Sequence, residues 1–358
     1  MCAFRRYVQV AVGALLLLLQ CAAWANSYVD VLDLPAKLSP LAVRSPLQDV
    51  AHAGSRLVAV GQRGHILYSD DAGQNWRQAR VPVSVDLNAV HFPTAEQGWA
   101  VGNDGVILHS RDGGATWTLQ LDGRAIGRLL IEHYGQLARQ QPDDERWSQL
   151  MEEGQRLDEQ GADKPFLDVW FANERQGYAV GVFNLILATT DGGQTWVPFQ
   201  DRIDNPQGLH LNAINSTGDA LYIVGEQGLL QKWDEALGRF SAVPSPYEGT
   251  FFGVTGKPGG EVLVYGLRGH AYLSRDGGQT WQALKTDLQV SVTAATQDAA
   301  GRYLLFTQAG HKLLVEERRA ALSVQPQDGQ SPVGAALLAG TGQLILVGVR
   351  GVRAVPAE

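Results

Sequence analysis

One nine-residue stretch, YSDDAGQNW at residues 68–76, decides the fold because close copies of it return three times along the chain. The copies are HSRDGGATW at 109–117, ATTDGGQTW at 188–196 and LSRDGGQTW at 273–281. Each has a Ser or Thr, an Asp two places later, a Gly, an Asn or Thr, and a closing Trp. A loop that recurs in register indicates a repeat architecture, so the period has to be measured before any element is assigned.

A short apolar run that ends in glycine supplies the period, with a threonine in the glycine's place once. The runs end at Gly61, Gly102, Gly181, Gly225, Gly266, Thr307 and Gly348. The steps are 41, 79, 44, 41, 41 and 41 residues, and the step of 79 is one period plus 38 residues. Each unit reads as four short strands bounded by glycine turns. Seven such units predict an all-β fold, a seven-bladed β-propeller over residues 26–358.

The two ends of the sequence bear on how such a ring closes. The seventh unit has three strand-like stretches, GAALLAG, LILVGV and VRAVPAE, and no fourth. The stretch YVDVLDL at 28–34 precedes the first blade. We predict that it supplies the fourth strand of blade seven, because this pairing would remove two open sheet edges.

Every residue type of the repeated stretch has a structural explanation. The Asp accepts hydrogen bonds from backbone amides of its own turn, the Gly permits a positive φ, and the Trp buries a large ring between blades. Blade four keeps a worn copy with Asp234 and Phe240, and blade six has lost it. The residues predicted to be structural are Asp71, Trp76, Asp112, Trp117, Asp191, Trp196, Asp276 and Trp281.

The stretch is an Asp-box, or bacterial neuraminidase repeat, which occurs in sialidases, other glycosidases, sortilin-type receptors and a non-enzymatic group. With seven units and Gly-x-Arg-Gly ahead of the box, as at 61–64 and 266–269, the chain most resembles that last group. These are the photosystem II assembly and stability factors of chloroplasts and cyanobacteria, with their bacterial relatives. The resemblance implies a non-catalytic propeller that binds an unassembled membrane-protein precursor from the lumenal side, through an arginine patch on one face.

The first 25 residues are predicted to be a signal peptide. Two arginines precede an apolar run at 8–19, and Ala-Trp-Ala at 23–25 places small residues where a signal peptidase reads them. The run is too short to span a membrane comfortably. Cys21 raises the alternative of a lipid-anchored protein, but Gln20 stands where a small residue is needed, so cleavage after Ala25 is favoured.

Cleavage would remove both cysteines and two arginines, which leaves 27 basic and 37 acidic residues and changes the net charge from −8 to −10. A chain without disulfides depends on its own core, and the 45% hydrophobic content allows one. The acidic balance argues against nucleic acid as a partner. We expect an exported monomer with no membrane span in the mature chain. Its predicted location is the periplasm, or the thylakoid lumen if the host is photosynthetic.

The turns between the second and third strands are the candidate binding positions. In propellers of this kind these turns share one face with the connections between blades, and the Asp-boxes lie on the other. Three turns carry an arginine, Arg63, Arg268 and Arg350. The resemblance implies that the family's arginine patch carries over to these matching positions. His65, His270 and His311 stand two places after the equivalent position.

Arginines on one rim of an acidic chain suit an acidic peptide or a carboxylate, and pairing with acids of the adjacent blade is the open alternative. The predicted partner-binding residues are Arg63, His65, Arg268, His270 and Arg350. Repeat symmetry spreads the histidines around the ring, so we predict neither a metal site nor a cofactor.

An enzymatic alternative follows from the sialidases that share the box. Their chemistry uses a Tyr nucleophile activated by Glu, an Asp and three arginines on the substrate carboxylate. Their Phe/Tyr-Arg-Ile-Pro opening is absent here, where the corresponding stretch is RSPLQDV at 44–50. No Tyr–Glu pair stands at blade-equivalent positions, so we predict no catalytic residue.

The insertion at residues 122–164 is predicted to be a helical hairpin between blades two and three. Ile126, Leu130, Tyr134 and Leu137 recur at helical spacing, Pro142 breaks the run, and Asp143, Asp144 and Glu145 begin a second helix. Trp147, Leu150, Met151 and Leu157 form its apolar side. The hairpin is expected on the arginine face, with this side against the rim, against a partner, or plugging the central channel.

The preferred function is a non-catalytic assembly, stability or interaction factor for a membrane-protein complex. Two alternatives stay open at this point, an Asp-box glycoside hydrolase of sialidase type and a structural subunit of an envelope complex. The expected partner is a membrane-protein client or a subunit of such a complex.

Overall fold

The computed structural model describes residues 29–325, 329–340 and 342–357. The predicted signal peptide, residues 1–25, lies outside them. Within the described ranges the chain forms seven antiparallel sheets in a ring and one pair of α-helices. The seven-bladed propeller predicted from the repeat is confirmed.

Six blades have four strands in simple meander order. Blades one and two comprise β1 (Leu47–Ala53), β2 (Arg56–Gly61), β3 (Ile66–Ser69), β4 (Arg77–Gln78), β5 (Leu87–His91), β6 (Gly98–Gly102), β7 (Ile107–Ser110) and β8 (Thr118–Leu121). Blades three and four comprise β9 (Phe166–Phe171), β10 (Gly177–Gly181), β11 (Ile186–Thr189), β12 (Val197–Pro198), β13 (Leu211–Ser216), β14 (Leu221–Gly225), β15 (Leu230–Asp234) and β16 (Arg239–Ala242).

Blades five and six repeat this order, and blade seven has three strands in the part of the chain that the structure describes. They comprise β17 (Phe251–Lys257), β18 (Glu261–Gly266), β19 (Ala271–Ser274), β20 (Gln282–Ala283), β21 (Val292–Gln297), β22 (Tyr303–Thr307), β23 (Lys312–Glu316), β24 (Ala321–Gln325), β25 (Ala335–Leu338), β26 (Gln343–Gly348) and β27 (Gly351–Pro356). The second strand of each blade is almost wholly buried, because it is paired on both sides and packed between two neighbouring blades.

The ring closes by contact between blades. The first strand of every blade touches the first strand of the next, and β25 touches β1. Side chains cross the seams: Asn88 donates to the carbonyl of Phe166 at 2.8 Å, and Thr293 donates to the carbonyl of Val333 at 2.6 Å. These inner strands line the central channel.

The prediction that residues 28–34 complete blade seven is wrong for the part that the structure describes. Residues 29–34 form turns, in which Asp30 accepts the amide of Leu32 at 3.0 Å. Leu32 is buried among valines of the connection from blade one to blade two, and the carbonyl of Val31 accepts the amide of Ser84 at 2.9 Å. The alternation that looked like a strand is an Asp-stabilised turn anchored by one leucine.

The predicted helical hairpin between blades two and three is confirmed. It consists of α1 (Gly123–Gln140) and α2 (Glu145–Gln160). Asp122 and Asp144 cap the two helices by accepting the amides of Arg124 and Arg146, at 3.0 and 3.2 Å. Such caps satisfy backbone donors that the first turn of a helix leaves free.

The apolar side of the hairpin packs on the propeller. Ile126, Leu130, Tyr134, Trp147 and Leu157 are buried in one cluster with side chains of blades two and three. The residues that line the central channel include none from the hairpin, so the channel-plug alternative is wrong. The hairpin therefore extends the seam between two blades outward, and its polar side is left to solvent.

Candidate partner-binding face

The Asp-boxes satisfy their polar groups within their own turns. In blade two, Asp112 accepts the amide of Thr116 at 2.9 Å and the hydroxyl of Ser110 at 2.9 Å, and Trp117 donates to the carbonyl of Gly114 at 3.0 Å. The same Asp contacts recur in blades one, three and five. These turns therefore have a structural role and stabilise the fold.

Hydrogen bonding within these turns also sets the acidity of the carboxylates. The amide and side chain of Asn75 lower the pKa of Asp71 to about 2. The hydroxyl and amide of Thr280 lower the pKa of Asp276 to about 2. Donors that bind the ionised form stabilise it, so both carboxylates stay charged at neutral pH.

The turns between second and third strands lie on the opposite face, which we call the turn face. A Cβ atom at Gly64 would collide with the carbonyl of Val83, and one at Gly269 with the carbonyl of Leu288. Both carbonyls belong to connections between blades, which places the turns and the connections together as predicted. Glycine is required at these two positions because φ is also positive, at +69° and +82°.

Arg63 and Arg268 have equivalent backbone conformations at the tips of these turns. Both are left-handed, with φ of 56° and 57°, and both side chains are exposed. Within the described residues neither guanidinium takes part in an ion pair. A left-handed tip directs the side chain away from the sheet, so the two cations are available to a partner.

Arg350 departs from this symmetry. The backbone of Arg350 is not left-handed. Blade seven joins β26 to β27 through a tighter turn, in which Gly348 pairs with Gly351. Burial lowers the pKa of Arg353, and the nearby charge of Arg350 lowers it further. Blades seven and one are adjacent, so Arg350 and Arg63 occupy neighbouring turns, whereas Arg268 lies two blades away from Arg350.

The three histidines have three different environments. His65 is buried, because the N-terminal segment near Ala36 covers its turn, and burial lowers its pKa. His270 is exposed and stacks on Tyr247 at 4.2 Å, while His311 contacts the Thr307 hydroxyl at 3.1 Å. No metal-binding group of three residues occurs in the described part of the chain. The structure therefore does not support His65 as a surface contact, and His270 keeps that prediction.

Sequence reasoning missed a residue at the arginine position of blade three. Phe183 occupies the turn position equivalent to Arg63, with φ of 52°, and 58% of its side chain is exposed. It meets His210 edge-on at 4.5 Å, and the ammonium of Lys164 lies 5.9 Å from its ring centre. An exposed aromatic ring in a strained backbone conformation marks a functional position more strongly than a scattered surface apolar residue does.

Phe183 lines a groove of about 480 Å³ between α2 and the turn face of blades three and four. We call it the hairpin groove. Its cations are Arg146, Arg156, Lys164 and Arg239, and its acids are Glu153, Asp201 and Asp204. Apolar floor and charged rim together suit a peptide more than a small polar molecule. The alignment of turns by repeat position could have found Phe183, but the groove itself needed the packing of the hairpin.

The central channel has a different chemistry. Asp49 and Asp168 face it from blades one and three, and each accepts two backbone amides, one of them from the following blade at 2.8 Å. Burial raises the pKa of Asp49 to about 6 and, with the nearby Asp49 charge, that of Asp168 to about 8. No arginine or lysine is among the described residues that line it. The three arginines that would hold a sialoside carboxylate are therefore not in this channel.

Fold and site together define a class, an Asp-box propeller whose repeated turns are structural and whose free side chains lie on the opposite face. Within that class the chain belongs to the family described as photosynthesis system II assembly factor YCF48. That family matches residues 32–131 and 147–319.

Individual relatives agree with this assignment. The photosystem II assembly lipoprotein Ycf48 of Synechococcus sp. (strain CC9902) is 28% identical over 152 residues, which is 40% of this chain and 44% of that protein. A structure titled YCF48 bound to D1 peptide is similar with a TM-score of 0.63, 15% identity, and coverage of 87% of this chain and 92% of the other. The structure of YCF48 from Cyanidioschyzon merolae is similar with a TM-score of 0.64 and 12% identity, and the match covers 89% of this chain and 96% of the other.

Proposed function

We propose that this protein is an exported, non-catalytic factor that binds an unassembled membrane-protein client through its turn face. The family consists of assembly factors, and one similar structure is that of YCF48 bound to D1 peptide. The curated relative is matched over less than half its length, so the client of this chain is defined here by its chemistry. It is a segment with an apolar anchor and acidic neighbours.

The observation that carries the proposal is Phe183 in the hairpin groove. The ring is largely exposed on a left-handed turn, beside an apolar floor whose rim carries both basic and acidic side chains. Burying such a ring under a partner contributes roughly 1.5–3 kcal/mol, and aromatic anchors of this kind dominate protein interfaces. Arg63 and Arg268 add charge complementarity, which speeds encounter with an acidic segment.

The proposed location is outside the cytoplasm, in the periplasm or a thylakoid lumen. The predicted signal peptide and the lipoprotein relative support export. Among the described helices, neither is long and apolar enough to cross a bilayer. A monomeric propeller fits this role, because the turn face then stays open to the client.

The test compares matched substitutions on the two faces. Phe183→Glu and the pair Arg63→Glu with Arg268→Glu should each strongly reduce recovery of pulse-labelled membrane proteins after mild crosslinking in the native host. Leu237→Glu and Arg111→Glu change an exposed leucine and an exposed arginine on the Asp-box face, and should leave recovery unchanged. Equal recovery by all four proteins, each melting normally, would refute the turn face as the binding site.

The same experiment separates the alternatives. An assembly factor predicts an association that decays during the chase, whereas a structural subunit predicts one that persists at constant stoichiometry. Robust turnover of aryl glycosides, including sialosides, would overturn the non-catalytic proposal.

A further inference from the structure

Within the described residues blade seven has no outer strand, and the outer edge of β27 is unpaired. The third strand of every other blade pairs on both sides, whereas β27 pairs with β26 alone. Across the described residues, no other backbone group hydrogen-bonds to β27. From Val352 to Pro356 it has no buried residue, although three of the four residues of β3 are buried. An unpaired edge of this kind is a template for another strand.

The Asp-box of blade one, which faces this edge, also lacks a contact that other blades have. After the outer strands of blades one, three and five, the chain makes parallel bridges to the next blade, Arg80 with Thr116, Ile203 with Phe240, and Lys285 with Ala321. Within the described residues no such bridge reaches the Asp-box of blade one. Its Gly73 is half-buried, whereas the equivalent Gly114, Gly193 and Gly278 are buried. The missing strand therefore leaves a slot between β27 and this box.

The register of β27 identifies the groups that face the slot. Two residues separate the paired Gly348 and Gly351, so these glycines form the hydrogen-bonded pair of a two-residue hairpin. Hydrogen-bonded and free pairs alternate along an antiparallel ladder. The amides and carbonyls of Val352 and Ala354 therefore point outward. Pro356 follows in the same alternation and offers a carbonyl only.

The slot has a definite charge. Among the described residues it is lined by Arg44, Arg350 and Arg353, by the apolar Val352 and Trp76, and by no acidic side chain. Arg353 donates to the carbonyl of Gly329 at 2.8 Å, and none of the three arginines has an ion-pair partner in the described ranges. A guanidinium that is partly desolvated and unneutralised favours a carboxylate partner.

We infer that this slot binds an extended segment of a partner protein, with alternating acidic and apolar residues, which adds as the fourth strand of blade seven. Strand addition uses backbone hydrogen bonds for affinity and alternate side chains for specificity. Residues 29–34 of this chain are anchored elsewhere by Leu32. A second copy paired edge to edge would bring Arg353 close to its own equivalent, which charge repulsion opposes. The inference goes beyond the proposed function, since it concerns the seam between blades seven and one.

The test uses a fluorescent peptide, acetyl-EVEVEVE-amide, and its basic counterpart acetyl-KVKVKVK-amide with the full chain. The acidic peptide should bind and should protect the amides of Val352 and Ala354 from hydrogen exchange. Ala354→Pro removes an outward donor without touching the β26 ladder, so it should weaken binding at least about tenfold. Ala354→Ser keeps the donor and should bind normally, and Arg353→Glu should shift the preference toward the basic peptide.

Several results would overturn the inference. Undiminished binding by Ala354→Pro, or protection on another strand, would place the peptide elsewhere. Protection of both amides in the peptide-free monomer would mean that the chain fills its own slot. A dimer that Ala354→Pro converts to monomer would assign the slot to a second copy. Phe183→Glu should leave peptide binding unchanged, so failure here is distinguishable from failure of the turn-face proposal.

Discussion

Substituting Trp117 tests how the blades are held together. Its ring is 5% exposed, meets Phe92 edge-on at 5.8 Å, and donates to the carbonyl of Gly114 at 3.0 Å. Trp117→Ala would open a cavity between blades one and two, and substitutions of this size in a core cost about 3–5 kcal/mol. Trp117→Phe keeps most of the apolar area and loses one hydrogen bond, so it should cost about 1–2 kcal/mol.

Trp76 is the matched control, because it makes the same hydrogen bond to its own turn at 3.0 Å but faces the slot of blade seven. Its ring is only partly buried, so Trp76→Ala should cost less than Trp117→Ala, about 1.5–2.5 kcal/mol. Urea unfolding followed by circular dichroism gives both values. A loss below about 1 kcal/mol for Trp117→Ala, or equal losses at the two positions, would refute the packing argument.

Three further predictions concern charge and hydrogen bonding. Because the pKa of Asp276 is lowered to about 2, its stabilising effect is lost as pH falls from about 4 to about 2. Asp276→Asn should therefore flatten the acid side of a melting-temperature profile, and an unchanged slope would contradict the turn geometry. The pKa of Asp168 is raised to about 8, so wild-type stability should decline between about pH 4 and 8, by at most about 1.4 kcal/mol per pH unit from this group. Asp168→Asn should lack this decline, and a profile parallel to wild type would show that the carboxyl is ionised at no cost. The single hydroxyl proton of Tyr134 is shared between Gln200 at 3.0 Å and Asp201 at 3.2 Å. Tyr134→Phe should cost about 1–2 kcal/mol in urea unfolding, and no loss would mean that solvent replaces this bond.

The repeat made most of the architecture predictable. Period and strand pattern are local properties of the sequence, and the Asp-box supplies its own turn chemistry, so seven blades followed from the letters alone. Helical spacing likewise predicted α1 and α2, and the acids at 143–145 predicted where α2 begins. These local signals did not predict how closely the two helices approach each other. A Cβ atom at Gly127 would collide with the backbone of Asp158.

The sequence did not predict which segment packs against a given position when several could reach it. Residues 28–34 alternate as a strand does, yet Leu32 is buried in the valine-lined connection after blade one. His65 shares its repeat position with the exposed His270, but the N-terminal segment packs on the turn of blade one at Ala36. Phe183 was overlooked because attention to arginines at that position ignored the blade with an aromatic residue. The first two cases depend on which segment packs against a position in space, which periodicity does not record.

Photo-crosslinking from the two faces tests the central claim most directly. A benzoylphenylalanine at position 183 or 268 probes the turn face, and one at Gln279 or Leu237 probes the Asp-box face, at exposed sites. In the native host the account predicts adducts with newly made integral membrane proteins from 183 and 268, and none from 279 or 237. Adducts that form only from the Asp-box face, or equally from both, would contradict it.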